Sequence, residues 1–583
     1  MNPNAIEDFY PLSPMQEGML FHTLFEPGSD LYLNQYAFRI RGVLDEAALR
    51  RAWQGVVARH PVLRTAFAWE KVERPLQVVR AGVELPWETV DWRGEAGAAG
   101  PARLETLLAA DRARAFELNR APLMRITLAR SAERAWYMVW SHHHLLLDAW
   151  SGPLVLREVF ALYRAEVEGR PAELPPTRPF RDYVAWLERQ DLAGAEAYWR
   201  RTLAGLAAAT VLGVERSGGR GVGEMQAGVP AAATARLRML ARERRLTLGT
   251  LVQGAWALLL GRYSGSGDVV FGATVSGRPP ELAGVEEMVG LFINTLPVRV
   301  AVDPAAPVLG WLEGIQAGQA ELREFEYSPL AQVQKWSEVP AGQPLFEQIL
   351  VVNTPGEEGA DEPFAGIMVE PVRAVEKTNY PLTVEARTGA RITFHVEYDR
   401  ARFEDGAAER LLEHLARLLE GLGSGAGLRL GEVEMLDEAE RRQLLREWND
   451  TARPLPSEDT VDALVGRRAA GAPGAPAVVF GRTVLGYREL DARASRLAHA
   501  LRRRGVGPEA RVGICLERSA EMVVALLGVL RAGGACVPLD PGYPDERLAW
   551  MLEDSGASLV LADGRSAGRF GAGAGVVDMD AER

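Results

Sequence analysis

AWYMVWSHHHLLLDAWSG, Ala135 to Gly152, passes from an apolar run through three histidines and three leucines to an aspartate. The opening run is rich in aromatics, which predicts a buried strand from Ala135 to Trp140, and helical spacing of apolar residues resumes from Val155 to Glu168. His142, His143 and His144 therefore stand where a strand ends, a common position for reactive groups. A neutral imidazole takes up a proton and returns it near neutral pH, work typically worth about 10²- to 10⁴-fold in rate. Asp148 follows His144 with only leucines between them, and a carboxylate in such surroundings needs a partner, because an unpaired buried charge is costly. An arginine is the expected partner. Adjacent histidines seldom converge on one ion, and no HExxH is present, so the pattern argues against a metal site.

The alternation of strand and helix patterns continues outward. Leu31 to Ile40 reads as a strand and Glu46 to Arg59 as a helix. Ser13-Pro14-Met15-Gln16 combines an N-cap hydroxyl, a proline at the first helical position and a glutamine three residues after the cap, so a helix is predicted from Pro14. Its residues Met15, Met19 and Leu20 share a face, either for core packing, the commoner use, or as a channel wall. After the prolines of Pro171 to Pro179 the mixture repeats. Helical Leu248 to Tyr263 and Asp405 to Leu422 stand beside strand-like Asp268 to Val275, Leu296 to Val302, Gln348 to Val352 and Ile392 to Tyr398. The expected fold class is α/β (α+β), with one lobe over residues 1–175 and another over 176–435. The glycines of Gly421 to Gly427, a charged amphipathic stretch from Leu436 to Trp448 and a Pro-containing linker from Asn449 to Glu458 lead into a further domain. The linker is placed at 436–458 and that domain at 459–583.

With 583 residues the chain exceeds what a single hydrophobic core supports. Apolar residues at 47% and charged residues at 25% are ordinary values for globular domains, which rules against disorder or collagen-like repeats. The net charge of -12 carries no basic block, so nucleic acid is not an expected partner. No run approaches the length of a spanning helix, and MNPNAIEDFY has neither a basic nor an apolar leader region, so no membrane partner is expected. Cys515 and Cys536, the only cysteines, lie in the apolar contexts VGICLE and GGACVPL and read as buried free thiols, which fits a reducing, cytoplasmic setting.

His143-His144-Leu145-Leu146-Leu147-Asp148-Ala149 resembles the HHxxxDG signature of non-ribosomal peptide synthetase condensation domains, with alanine where the family usually has glycine. Further family motifs follow in order. PLSPMQEGMLFH (Pro11 to His22), RHPVLRT (Arg59 to Thr65) and FRDYVAW (Phe180 to Trp186) are joined by VGLFINTLPVR (Val289 to Arg299), YSPLAQVQ (Tyr327 to Gln334) and LFEQILVVN (Leu345 to Asn353). The resemblance implies two chloramphenicol-acetyltransferase-like lobes in a V, a pseudo-dimer with His144 midway along a central tunnel. Donor and acceptor carrier proteins would dock on opposite faces, each bringing its substrate on a phosphopantetheine arm, with no cofactor bound by the chain itself and a monomer expected. The reaction implied is attack of the acceptor's amine on the donor's thioester. His144 then corresponds to the essential histidine, as general base or as the group that positions the amine, and His143 to its structural neighbour. Asp148 is expected to pair with Arg64, with Ala149, Trp150 and Ser151 supporting the loop. Met19, Asn294 and Gln348 are candidates to line the tunnel. Glycine permits positive φ and close backbone approach, which alanine does not, so Ala149 is a point of departure.

From about Val461 the chain resembles adenylation domains, through LGYREL (Leu485 to Leu490) and LRAGGACVPLDP (Leu530 to Pro541). Without a loop of the form TSGTTGxPKG, this stretch is expected to be the opening part of an N-terminal subdomain that cannot cradle ATP, with exposed apolar edges and poor order. SPMQEGMLFH and YSPLAQVQ resemble the subtype that joins an L-donor to an L-acceptor. A starter variant taking a fatty acyl donor, and a non-catalytic platform that recruits carriers or tailoring enzymes, are the alternatives.

Overall fold

The computed structural model describes residues 5–581 apart from 27, 29, 94–99, 217–218, 354–363, 425–426, 455–459 and 571–574. Gly425 of the Gly421 to Gly427 stretch and part of the linker Asn449 to Glu458 lie outside the described residues. The chain forms two compact units, Met1–Gln443 and Leu444–Arg583.

In the larger unit, a five-stranded sheet runs in the order Ile367–Val375, Leu33–Gly42, Ala135–His143, Met124–Ala132, Trp87–Asp91. The strand predicted to end at Trp140 continues to His143, and after its first residue every side chain is buried. Helices cover both faces, as such a strand requires. Glu46–Arg59 and Ser151–Glu168 pack on one side, where Trp53 meets Trp140 at 5.1 Å between ring centroids. Gly100–Arg112 covers the other through Leu104 and Leu108 against Ala37 and Val139. The helix Pro14–Phe25 starts on the expected capping box, with Ser13 Oγ accepting the Gln16 N–H at 3.3 Å and Gln16 Oε1 accepting the Ser13 N–H at 2.9 Å.

A six-stranded sheet follows in the order Asn294–Ala301, Asp268–Val275, Gln348–Asn353, Leu382–Thr388, Ile392–Asp399, Val222–Gly228. Leu382, Val384, Ile392, Phe394 and Val396 point to a core shared with the helices Leu248–Ser264 and Asp405–Leu422. The intervening Glu385, His395 and Glu397 form a polar face, as period-two alternation dictates.

The two lobes are interleaved rather than divided at the prolines. Ile367–Val375 belongs by sequence to the second lobe but pairs antiparallel with Leu33–Gly42 of the first, and Phe180, Tyr183, Leu291 and Phe292 pack into the first core. A proline break locates a chain interruption; a sheet edge can recruit a strand from any distance.

The smaller unit contradicts the expected poor order. Ala535–Pro538, Arg511–Cys515, Leu559–Ala562 and Gly575–Asp578 form a parallel sheet, and Leu497, Val512, Ala525, Val529 and Leu561 share a core with the helices Tyr487–Arg503 and Ala520–Ala532. Cys515 is buried and Cys536 half-buried, both as free thiols. Among the described residues no helix is long and apolar enough to cross a membrane.

Candidate active site

His143 is the last residue of its strand, and the next four residues make a tight turn held by its own backbone. Leu146 and Leu147 N–H groups donate to the carbonyls of His143 and His144, and the His144 N–H donates to the Tyr32 carbonyl at 2.8 Å. Tyr32 carries a positive φ of 62°, a conformation that strains a non-glycine residue by about 1–3 kcal/mol and clusters at functional sites. From the first helix, Gln16 donates its Nε2–H to the Leu145 carbonyl at 2.9 Å. The residue that caps that helix thus also holds the turn.

The two histidines of the motif occupy opposite tautomers. His143 Nδ1 accepts the Leu145 N–H at 3.2 Å, which leaves the proton of a neutral ring on Nε2. Burial, with His144 and His142 adding to it, depresses the His143 imidazolium to about 3, so the ring is neutral at physiological pH. His144 is only half-buried, and its Nδ1 lies 2.7 Å from the Leu147 carbonyl. A carbonyl can only accept, so Nδ1 carries the proton and Nε2 presents a lone pair. Among the described residues Nε2 has no hydrogen-bond partner.

Asp148 joins this turn to the second lobe. Its N–H donates to the Gly290 carbonyl at 3.1 Å, its Oδ1 accepts from the Ser151 N–H at 2.8 Å, and its Oδ2 accepts from the Phe292 N–H at 2.9 Å. The expected pairing with Arg64 is not found. Arg64 binds Glu7 at 2.6 Å and the Arg80 carbonyl, while the arginine that meets Asp148 is Arg278, at 3.4 Å. Arg64 directly precedes Thr65–Ala68, an edge strand of a small three-stranded sheet whose opposite edge, Ile6–Pro11, supplies Glu7 as the available anion. Arg278 is lowered from the usual guanidinium range by burial, against the pull of Asp148, and its guanidinium carbon lies 3.9 Å from the centroid of the Phe292 ring. It also donates to Ser151 Oγ at 3.0 Å and to the Met288 carbonyl at 2.9 Å. The turn before it needs glycine. Gly277 has φ +60°, and a Cβ there would lie 1.9 Å from the Phe292 carbonyl oxygen.

Trp150 and Ser151 reinforce the same junction. The Trp150 indole N–H donates to the Glu286 carbonyl at 3.2 Å, and the Ser151 hydroxyl donates to the Gly290 carbonyl at 2.8 Å. Ala149 is exposed and its φ is not positive, so the substitution for glycine introduces neither strain nor a clash. The three tunnel candidates differ in their surroundings. Met19 belongs to the core, Gln348 is buried and donates to the Thr210 carbonyl at 3.1 Å, and Asn294 donates to the carbonyls of Glu326 and Ser328, both at 2.8 Å. Sequence reasoning missed Arg278, Tyr32 and the Leu147 carbonyl. SGRPP after a strand was the one visible signal for the first, and a backbone carbonyl gives none.

Among the described residues no group of His, Cys, Asp or Glu side chains could hold a metal ion. The condensation-domain model matches residues 6–445, which include the whole of this junction. The chain belongs to the condensation-domain family. Beyond its condensation domain, residues 465–580 match the AMP-binding enzyme model. The chain is 46% identical over 564 residues to one of the linear gramicidin synthase subunits of Brevibacillus parabrevis, covering 96% of this chain and 7% of that protein. Surfactin synthase subunit 3 of Bacillus subtilis is 34% identical over 565 residues, covering 96% of this chain and 44% of that protein. The chain thus spans less than half of the length of these relatives. Among solved structures, the nonribosomal peptide synthetase FmoA3 superimposes with a TM-score of 0.73 at 24% identity, over 100% of this chain and 61% of that one. The X-domain in complex with OxyB from teicoplanin biosynthesis gives a TM-score of 0.64 at 25% identity, over 75% of this chain and 99% of that one.

Proposed function

We propose that this condensation domain joins a donor aminoacyl or peptidyl thioester to the amine of an acceptor aminoacyl thioester, both delivered on the phosphopantetheine arms of carrier proteins. The observation that carries the proposal is the Nδ1–H of His144 tied to the Leu147 carbonyl at 2.7 Å, which leaves Nε2 as an acceptor. An amine that hydrogen-bonds to that lone pair is held with its own lone pair directed at the thioester carbonyl. The C–N bond forms as the C–S bond breaks, and the amine proton passes by way of Nε2 to the departing sulfur. A thioester is already activated, so orientation supplies much of the acceleration. His143 stays neutral beneath it, and Asp148 with Arg278 fixes the turn without touching substrate.

SPMQEGMLFH and YSPLAQVQ support the subtype with an L-donor and an L-acceptor. The AMP-binding match over 465–580 supports an adjacent adenylation domain as a partner, and the free thiols support a cytoplasmic setting. The experiment mixes the protein with donor-loaded and acceptor-loaded carriers and weighs the acceptor carrier by mass spectrometry. Extension by one donor acyl group is expected; an acceptor of unchanged mass rejects the proposal. The likeness to an X-domain in complex with OxyB favours a second reading, a recruitment platform, and an unchanged acceptor mass is its outcome.

A further inference from the structure

Beside the Asp148 junction, the start of the first helix, the helix Arg181–Leu187 and the segments 292–294 and 326–327 enclose a narrow pocket. Its walls combine the apolar and aromatic side chains of Met15, Tyr183, Phe292 and Tyr327 with polar Ser13 and Asn294. Tyr183 and Phe292 pack with ring centroids 4.6 Å apart, and Trp186 backs the wall at 6.0 Å from Tyr183 and 6.2 Å from Tyr327. The charge in this pocket is Glu326. The Gly277 N–H and Arg323 both favour its charged form, and among the described residues no cation forms an ion pair with it. Burial holds the Glu326 carboxyl above the usual carboxylate range, and an incoming counter-charge would favour its ionised form.

The pocket is one residue removed from the motif. Phe292, which lines it, donates its N–H to Asp148, and the Tyr183 phenol is raised by burial and by the charges of both Asp148 and Glu326. A carboxylate set among aromatic faces is the arrangement that receives aliphatic ammonium groups, by charge and by cation–π attraction. The amine that attacks a thioester must be neutral, so the group received here is a different one.

We propose that this pocket is a subsite for an aliphatic ammonium group, the side-chain amine of a carrier-bound substrate, with Glu326 as its counter-charge. The inference rests on the condensation reading above. Its first test needs no turnover. Methylammonium chloride is titrated into protein carrying fluorotryptophan, and the fluorine resonance of Trp186, assigned with Trp186→Phe, is followed. A saturable shift is expected in the wild type and its loss in Glu326→Gln, which keeps the shape of the side chain and whose circular dichroism should match the wild type. No saturable shift, or the same shift in both proteins, overturns the pocket.

The second test compares ornithinyl with norvalinyl substrates, first on the acceptor carrier and then on the donor. The preference for ornithinyl over its neutral counterpart should fall about tenfold in Glu326→Gln in one of the two arms, the loss expected for a charge-assisted contact, and that arm identifies the source. An unchanged preference in both arms overturns the substrate assignment. Should the wild type form no amide with any pair, the condensation reading fails, while the methylammonium titration still decides the pocket.

Discussion

Asp148 and Arg278 meet 3.4 Å apart with their side chains 0% and 4% exposed, one at the end of the histidine motif and the other after a strand of the second lobe. The shape of the His144 turn is therefore set by both lobes. Removing one partner of a buried ion pair strands the other charge, so Arg278→Leu should lower stability by about 3–5 kcal/mol in urea unfolding and take amide formation with it. Arg64→Leu, whose partner Glu7 is largely exposed, should cost less and leave turnover nearer to wild type. Equal losses in the two variants would return Arg64 to the role that the motif order suggested for it.

Ala149 is the one departure within the signature. Exposed and without positive φ, it should tolerate reversion to the family's glycine, and Ala149→Gly should change stability by no more than about 1 kcal/mol, the ordinary difference in backbone freedom. Turnover that rises strongly on reversion would show that the methyl group obstructs a substrate.

Gln16 offers a way to separate the helix cap from the turn. Gln16→Glu keeps an acceptor for the Ser13 N–H but sets a carboxylate oxygen against the Leu145 carbonyl. A stranded buried acceptor costs about 1–3 kcal/mol, so turnover should drop at least about fivefold, while the helix content in circular dichroism should hold.

Acid should loosen this region first. Burial depresses His143 and His142 to about 3 from an unfolded value of 6.5, so between these limits the unfolded chain binds more protons than the folded one. Stability is then fully present above pH 6.5 and falls as pH drops toward 3, by about 1.4 kcal/mol per pH unit for each histidine. His143→Asn, whose Oδ1 can accept the Leu145 N–H in place of Nδ1, should remove one histidine's share of that slope in urea unfolding at stepped pH. A slope unchanged by the substitution would mean that the ring is protonated in the folded state.

Much of this fold was legible because its elements follow local rules. Glu46–Arg59, Asp268–Val275 and Asp405–Leu422 were bounded by spacing alone, and Ser13 with Gln16 marked a helix start. The need of Asp148 for an arginine was legible too, from the cost of a bare buried charge. Which arginine was not, because Arg278 is brought to it by packing between lobes rather than by any spacing along the chain. The recruitment of Ile367–Val375 into the first sheet escaped for the same reason. Met19 shows the converse: an apolar stripe carries no sign of whether it faces a core or a channel, and here it faces the core.

The decisive comparison is the rate of amide formation between loaded carriers by the wild type and by His144→Ala, with matched circular dichroism. Loss of the Nε2 lone pair should slow the reaction by about 10²- to 10⁴-fold, the range for a positioned acid–base group. Equal rates in the two proteins would contradict a chemical role for His144.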